Sequence, residues 1–315
     1  MKSFESICKM TQSGVKEYMS AYLLSKGYQP INEDGFLYAK GTIPVLLVAH
    51  MDTVHPTTCK EVVYDNGKIS SPQGIGGDDR CGIYIIMNLV KELNCSVLLC
   101  ENEEIGGIGA SKFTKSDYIN SLDVNYMIEF DRKGNNDAVY YSCDNKEFKE
   151  FVEYATSFKE ASGSFSDISK LMPEAKIAGV NLSSGYYNPH SSSEYVVYDE
   201  MMDIVEEAKS LINAECEKPF EYVAKKYEYK KSNKPFSYDS SSFSQMSLFD
   251  KPIGNGFRKT SIMDNELELE VIFYDENGLE NTDVFYGRTK ADCWLEFFSK
   301  YTNRCMDDVY DYSWT

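Results

Sequence analysis

Three histidines occur in the 315 residues, and two of them stand where they could share metal ions with carboxylates. His50 ends the apolar run Val45-Leu46-Leu47-Val48-Ala49 and opens His50-Met51-Asp52, while His190 closes Gly185-Tyr186-Tyr187-Asn188-Pro189-His190. Three acidic clusters fall between them: Asp78-Asp79, Glu103-Glu104 and Asp131. Imidazole and carboxylate ligands suit zinc and similar divalent ions, and no thiol belongs to these clusters. Metal-assisted hydrolysis is the chemistry such a set would serve.

Each feature also has a plain structural meaning. Asp78-Asp79 alone reads as an exposed turn, Glu103-Glu104 as a solvated loop, and His190 as a surface histidine. His55 is read as a surface histidine. Glu129 competes with Asp131, since a strand's period of two puts both on one face. Asp131 is preferred because it ends its strand. What lifts the set above these readings is order and placement.

The placing elements are legible as short, continuous apolar runs: Val45 to Ala49, Ser96 to Cys100 and Tyr126 to Phe130. Such runs fit strands covered on both faces, as in parallel sheets. Helical spacing of Val15, Tyr18, Met19, Tyr22 and Leu23 ends at Lys26-Gly27, which makes the first forty residues a helix pair and a strand entry. Cys81 to Leu93 reads as a crossover helix; Asn145 to Phe158 and Asp199 to Ala214 read as two more. The alternation predicts an α/β three-layer sandwich with a mostly parallel central sheet. His50, Glu103-Glu104, Asp131 and, after a short loop, His190 then follow the carboxyl ends of strands, the edge where open α/β sheets bind ligands. Asp78 sits instead in a glycine-rich loop, Gly74-Ile75-Gly76-Gly77-Asp78, whose backbone can turn sharply.

With these motifs in their order, the chain resembles the two-metal zinc exopeptidase superfamily, which includes peptidase T-like enzymes and lidless zinc aminopeptidases. The resemblance spans roughly residues 1–220 and rests on His50-Met51-Asp52, Gly77-Asp78-Asp79-Arg80, Glu103-Glu104-Ile105-Gly106, Asp131 and the segment closing at His190. It implies one ion on His50, Asp78 and Asp131, a second on Asp78, Glu104 and His190, and Asp78 as the bridge. It implies Asp52 as the carboxylate that orients His50, and Glu103 as the general base. The cofactor implied is two divalent ions, with zinc the default. Lidded relatives insert a domain between the residue matching Asp131 and the last histidine. In this chain the interval holds only sandwich elements, so the expected site is lidless, which favours an aminopeptidase acting on short peptides. A deacylase on a small N-acyl substrate, and a metal-binding interaction protein that has lost activity, are the rivals.

A formal net charge of −18 argues against a partner in nucleic acid or anionic lipid. Nine cysteines without a Cys-x-x-Cys pair read as buried, reduced thiols. Neither a leader-like apolar stretch nor a membrane span is found, so the expectation is a cytoplasmic protein. The expected division is a catalytic domain at 1–222, a linker at 223–257 and a small α+β module at 258–315. Lysines and serines crowd Lys225 to Phe249. Beyond them, Leu267 to Tyr274 and Thr282 to Tyr286 predict a hairpin, and Thr289 caps a helix carrying Trp294, Leu295, Phe297 and Phe298. This module is also where a protein partner could bind.

Overall fold

In a computed structural model, the described residues are 2–226, 267–274, 280–287, 300 and 309–314. Eight strands form the main sheet, in the order Ile31–Glu33, Phe36–Ala39, Cys95–Cys100, Ile43–His50, Tyr126–Arg132, Gly179–Ser183, Asp137–Val139 and Lys159–Ala161. Its centre is parallel: Ile43–His50 pairs in parallel with both Cys95–Cys100 and Tyr126–Arg132, which in turn pairs in parallel with Gly179–Ser183. Residues 45–50 and 95–100 are buried throughout, which is why their sequence is continuously apolar rather than alternating.

Helices cover both faces. Gly77–Leu89, buried along its whole length, packs on Ile43–His50 and Tyr126–Arg132 and is flanked by Lys2–Cys8 and Tyr198–Asn213. Met201, Ile204, Val205, Ala208, Leu211 and Ile212 of this last helix are buried at helical spacing, a single apolar stripe facing the core. Asp167–Ala175 packs on Ile43–His50, Tyr126–Arg132 and Gly179–Ser183 in company with Ile108–Phe113 and Asp117–Asn120. Side-chain caps fix two starts: Thr11 Oγ1 accepts from Gly14 N at 3.1 Å, and Asn145 Oδ1 accepts from Phe148 N at 3.0 Å.

A second, antiparallel sheet orders Tyr186–Tyr187, Tyr195–Val197, Lys68–Ser70 and Val63–Asp65. It joins the segment around His190 to the loop that leads to Asp78. The interval from Asp131 to His190 holds three strands of the main sheet, the short strand Tyr186–Tyr187 of the second, two helices and their connections, with no inserted domain. Backbone bonds continue past residue 222: Asp144 N donates to Val223 O, and Lys225 N to Ser142 O.

Farther on, Leu267–Tyr274 pairs antiparallel with Glu280–Gly287, the expected hairpin, and also with Val309–Trp314, a strand the sequence reading did not anticipate. The helix expected from Thr289 and most of the linker expected at 223–257 lie outside the described residues. Among the described cysteines none is in a disulfide, and six of the seven are buried. Among the described residues no helix is long and apolar enough to cross a membrane.

Candidate metal centre

All seven site residues expected from the sequence meet at the carboxyl edge of the main sheet. His50, wholly buried as the last residue of its strand, directs Nε2 toward Asp78 Oδ1 at 3.1 Å and Asp131 Oδ1 at 3.5 Å. Behind it, Nδ1 lies 3.3 Å from Asp52 Oδ1. Asp52 also accepts from the backbone N–H groups of Glu103 and Glu104, each at 3.0 Å, tying the loop after one strand to the loop after its neighbour. His190 reaches in from a loop where its backbone is left-handed, with φ of 59°. Its Nε2 lies 3.2 Å from Asp78 Oδ2 and 3.1 Å from Glu104 Oε1. Asp78 therefore gives one oxygen to each imidazole.

These separations suit ions. Four donors around zinc at bond lengths of about 2.0–2.1 Å stand about 3.3 Å apart along each tetrahedral edge. The imidazole–carboxylate separations of 3.1–3.5 Å cluster around that value. The buried Glu104 Oε1 and His50 Nδ1 also lack a well-directed hydrogen bond, despite neighbours at 3.1 and 3.3 Å. Donor type and spacing thus fit a pair of divalent ions.

Electrostatics point the same way. Burial pushes Glu103 up to about 9; Asp131, Asp167 and Glu104 add to the shift, while His50 opposes it. Burial and Asp78 raise Asp131 to about 6 against the pull of His50 and Ser166. Bonds to Asp78 and Glu104 outweigh desolvation at His190 and raise it to about 10. Burial would lower His50, but Asp131, Asp52 and Asp78 hold it well above an ordinary histidine. Burial would raise Asp78, but His190 and His50 keep it well below the usual carboxylate range. So many carboxylates packed together out of water call for added positive charge.

Several supporting residues escaped the sequence reading. Asp79 lies within 4.8 Å of His50 and Asp131, in ligand range by distance. Its oxygens, however, accept from His50 N at 3.1 Å and Gly82 N at 3.0 Å, so it braces the strand end against the helix start. Ser166 Oγ lies 2.6 Å from Glu129 Oε2 and 2.8 Å from Asp131 Oδ2. The hydroxyl of Ser166 thus donates toward both carboxylates and links them. Glu129 is fully buried, and burial raises it far above its ordinary range. Glu129 also accepts from Ile168 N, whereas Asp131 reaches His50, which separates the two strand neighbours that sequence alone left in competition. Asn181 holds Asp131 at the backbone, accepting from its N–H and donating to its carbonyl. The reading of His55 needs correction. Its side chain is 10% exposed and lies 2.6 Å from Glu194, because the glycine at 74 leaves room for the ring.

Compared by sequence, the chain matches no protein-family model and no curated protein. Solved structures do match in fold. Aminopeptidase PepT from Bacillus cereus superposes with a TM-score of 0.58 at 14% identity, covering 67% of this chain and 96% of that one. A tripeptidase from Staphylococcus aureus gives 0.56 at 14% identity with the same coverage. A putative peptidase/endoglucanase gives 0.51 at 14% identity, covering 69% and 99%. The chain has the zinc-exopeptidase fold.

Proposed function

We propose that the chain is a two-metal aminopeptidase acting on short peptides. The observation that carries this reading is Asp78, whose two oxygens stand 3.1 Å and 3.2 Å from the two imidazoles that would each serve one ion. His50, Asp78 and Asp131 would hold one ion, and Asp78, Glu104 and His190 the other. Divalent ions there supply Lewis acidity and lower the pKa of coordinated water. Asp52 holds the His50 ring from behind and leaves Nε2 facing Asp78 and Asp131, where it would serve as a ligand.

Glu103 is the general base. It is 8% exposed and has no cation bound to its carboxylate among the described residues, so its protonation answers to the charge around it. It accepts the proton of the attacking water as the water oxygen bonds to the carbonyl carbon. It then delivers that proton to the departing amine nitrogen as the C–N bond breaks.

Preference for the amino end has its own support. A carboxypeptidase needs a cation for the substrate carboxylate, and two cations beside the candidate ligands, Arg132 next to Asp131 and Lys170 against the loop after Glu104, are already engaged. Arg132 pairs with Asp137 at 3.1 Å, and Lys170 donates to Gly106 O, Gly107 O and Ser111 Oγ. Two proteins sharing the fold are described as an aminopeptidase and a tripeptidase. The test is a panel of di- and tripeptides with free or acetylated amino ends, assayed with zinc. Cleavage restricted to free amines supports the reading. Turnover of the acylated members alone would replace it with a deacylase, and a metal-loaded protein inert on both would end it.

A further inference from the structure

Glu194 lies four residues beyond His190 and is wholly buried, yet it touches none of the groups assigned to the chemistry by direct side-chain contact. Its carboxylate serves the glycine-rich loop instead. Oε2 accepts from Gly76 N at 2.9 Å and lies 2.6 Å from His55 Nε2, while Oε1 accepts from Asp78 N at 3.0 Å. That loop needs holding. Gly74 and Gly76 have φ of 86° and 66°, and Asp78 and Asp79 depart from helical geometry inside the turn that opens the helix.

The fit is close enough to specify its residues. A Cβ at Gly74 would fall 2.2 Å from the His55 ring. One at Gly77 would fall 2.7 Å from Tyr186 Cβ and 3.4 Å from Glu194 Oε1. Three segments converge at this carboxylate: the stretch from His50 to His55, the loop bearing Asp78, and the loop from His190 to Glu194. Each carries one of the residues whose mutual spacing defines the two ion positions. A buried carboxylate that ends two backbone N–H groups and an imidazole is a strong fastener, because charge-assisted bonds out of water are short and directional.

We propose that Glu194, braced by His55, is a positioning residue that fixes the Asp78 backbone so that its two carboxylate oxygens face the two imidazoles. The proposal rests on the two-metal reading above. It assigns His55 and Glu194 a part in metal spacing without contact to substrate or reacting atoms.

The test uses the full-length protein and zinc alone, with affinity read by competition against a chelating dye. Glu194→Gln turns one acceptor oxygen into an NH2 group facing a backbone N–H, and zinc affinity should fall about 10- to 100-fold. The visible spectrum of the cobalt-loaded variant should change with it. His55→Leu, at a partly exposed position, should weaken zinc in the same direction, and His55→Gln, which keeps a donor toward Glu194, should lose less. Thermal melts identify the folded fraction, and if Glu194→Gln does not fold, the two His55 variants decide. Wild-type zinc affinity and an unchanged cobalt spectrum in folded Glu194→Gln or His55→Leu would overturn the clamp while leaving the two-metal reading intact. Wild-type protein that binds no zinc would remove both.

Discussion

Replacing Glu103 by glutamine separates binding from chemistry more sharply than any other change at this site. The two side chains have the same shape, so packing is preserved, but the amide cannot accept a proton at neutral pH. If Glu103 is the base, turnover falls by about 10²–10⁴, a barrier increase of roughly 3–5 kcal/mol. Both ions should stay, since His50 and His190 draw their short contacts from Asp78, Asp131 and Glu104. Glu104→Gln, by contrast, weakens the His190 ion. A second consequence concerns the metal-free protein. Burial lifts Glu103 from 4.5 to about 9, so over that window the folded state binds a proton that the unfolded state releases. Stability should therefore decline as pH rises from about 5 to 9, by at most about 1.4 kcal/mol per pH unit from this one group. Glu103→Gln removes that slope. Steady-state kinetics, elemental analysis and denaturant melts at several pH values provide the readouts. Equal metal loss in the Glu103 and Glu104 variants, or a metal-free stability curve unaltered by Glu103→Gln, would refute the assignment.

Zinc reconstitution should bring the chain to two ions, and Asp78→Asn should reduce both occupancies together, as elemental analysis would show, because one carboxylate faces both imidazoles. Loading should release protons. His190, raised to about 10, carries a proton at pH 7, and His50 is shifted in the same direction, whereas a metal takes the neutral ring. Apparent zinc affinity should accordingly rise between pH 6 and 9, and calorimetry in buffers of different ionisation enthalpy should detect the released protons; a flat profile contradicts the ligand set. Phe148→Ala, at a fully buried ring packed at tilted and edge-on angles against Tyr126, Tyr140 and Phe220, should cost about 3–5 kcal/mol in chemical denaturation without altering zinc stoichiometry. Truncation after Lys226 should keep a folded, metal-binding and active domain, because it retains the bonds of Tyr222, Val223 and Lys225 to the rest of the sheet domain. A cut at Glu221 deletes those bonds and should give a less stable product in thermal melts.

How much of this was legible in advance depended on whether chemistry or geometry chose the residue. Parallel strands buried on both faces must be apolar throughout, so Val45 to Ala49 and Ser96 to Cys100 declared themselves, and the candidate ligands were found at their ends. Ligand chemistry restricts residue type to a few donors, which is why His50 and His190 stood out among so few histidines. Boundaries were less visible. The helix after the glycine loop ends at Leu89 rather than Leu93, and its opening turn at Gly77 is kinked, because Asp78 and Asp79 are non-helical; the regular helix follows them, close to the expected start at Cys81. The strand Val309–Trp314 was missed although Tyr310, Tyr312 and Trp314 alternate with Asp311 and Ser313 as a half-buried strand's residues do. The supports were hidden for a more general reason. A backbone N–H can be satisfied by any acceptor from any part of the chain, so nothing near Gly76 or Asp78 foretells Glu194, more than a hundred residues away. His55 looked like a surface residue because its burial depends on the missing side chain of Gly74. Sequence thus exposes the groups that chemistry restricts, while the side chains that set their spacing become visible only when distant segments are brought together.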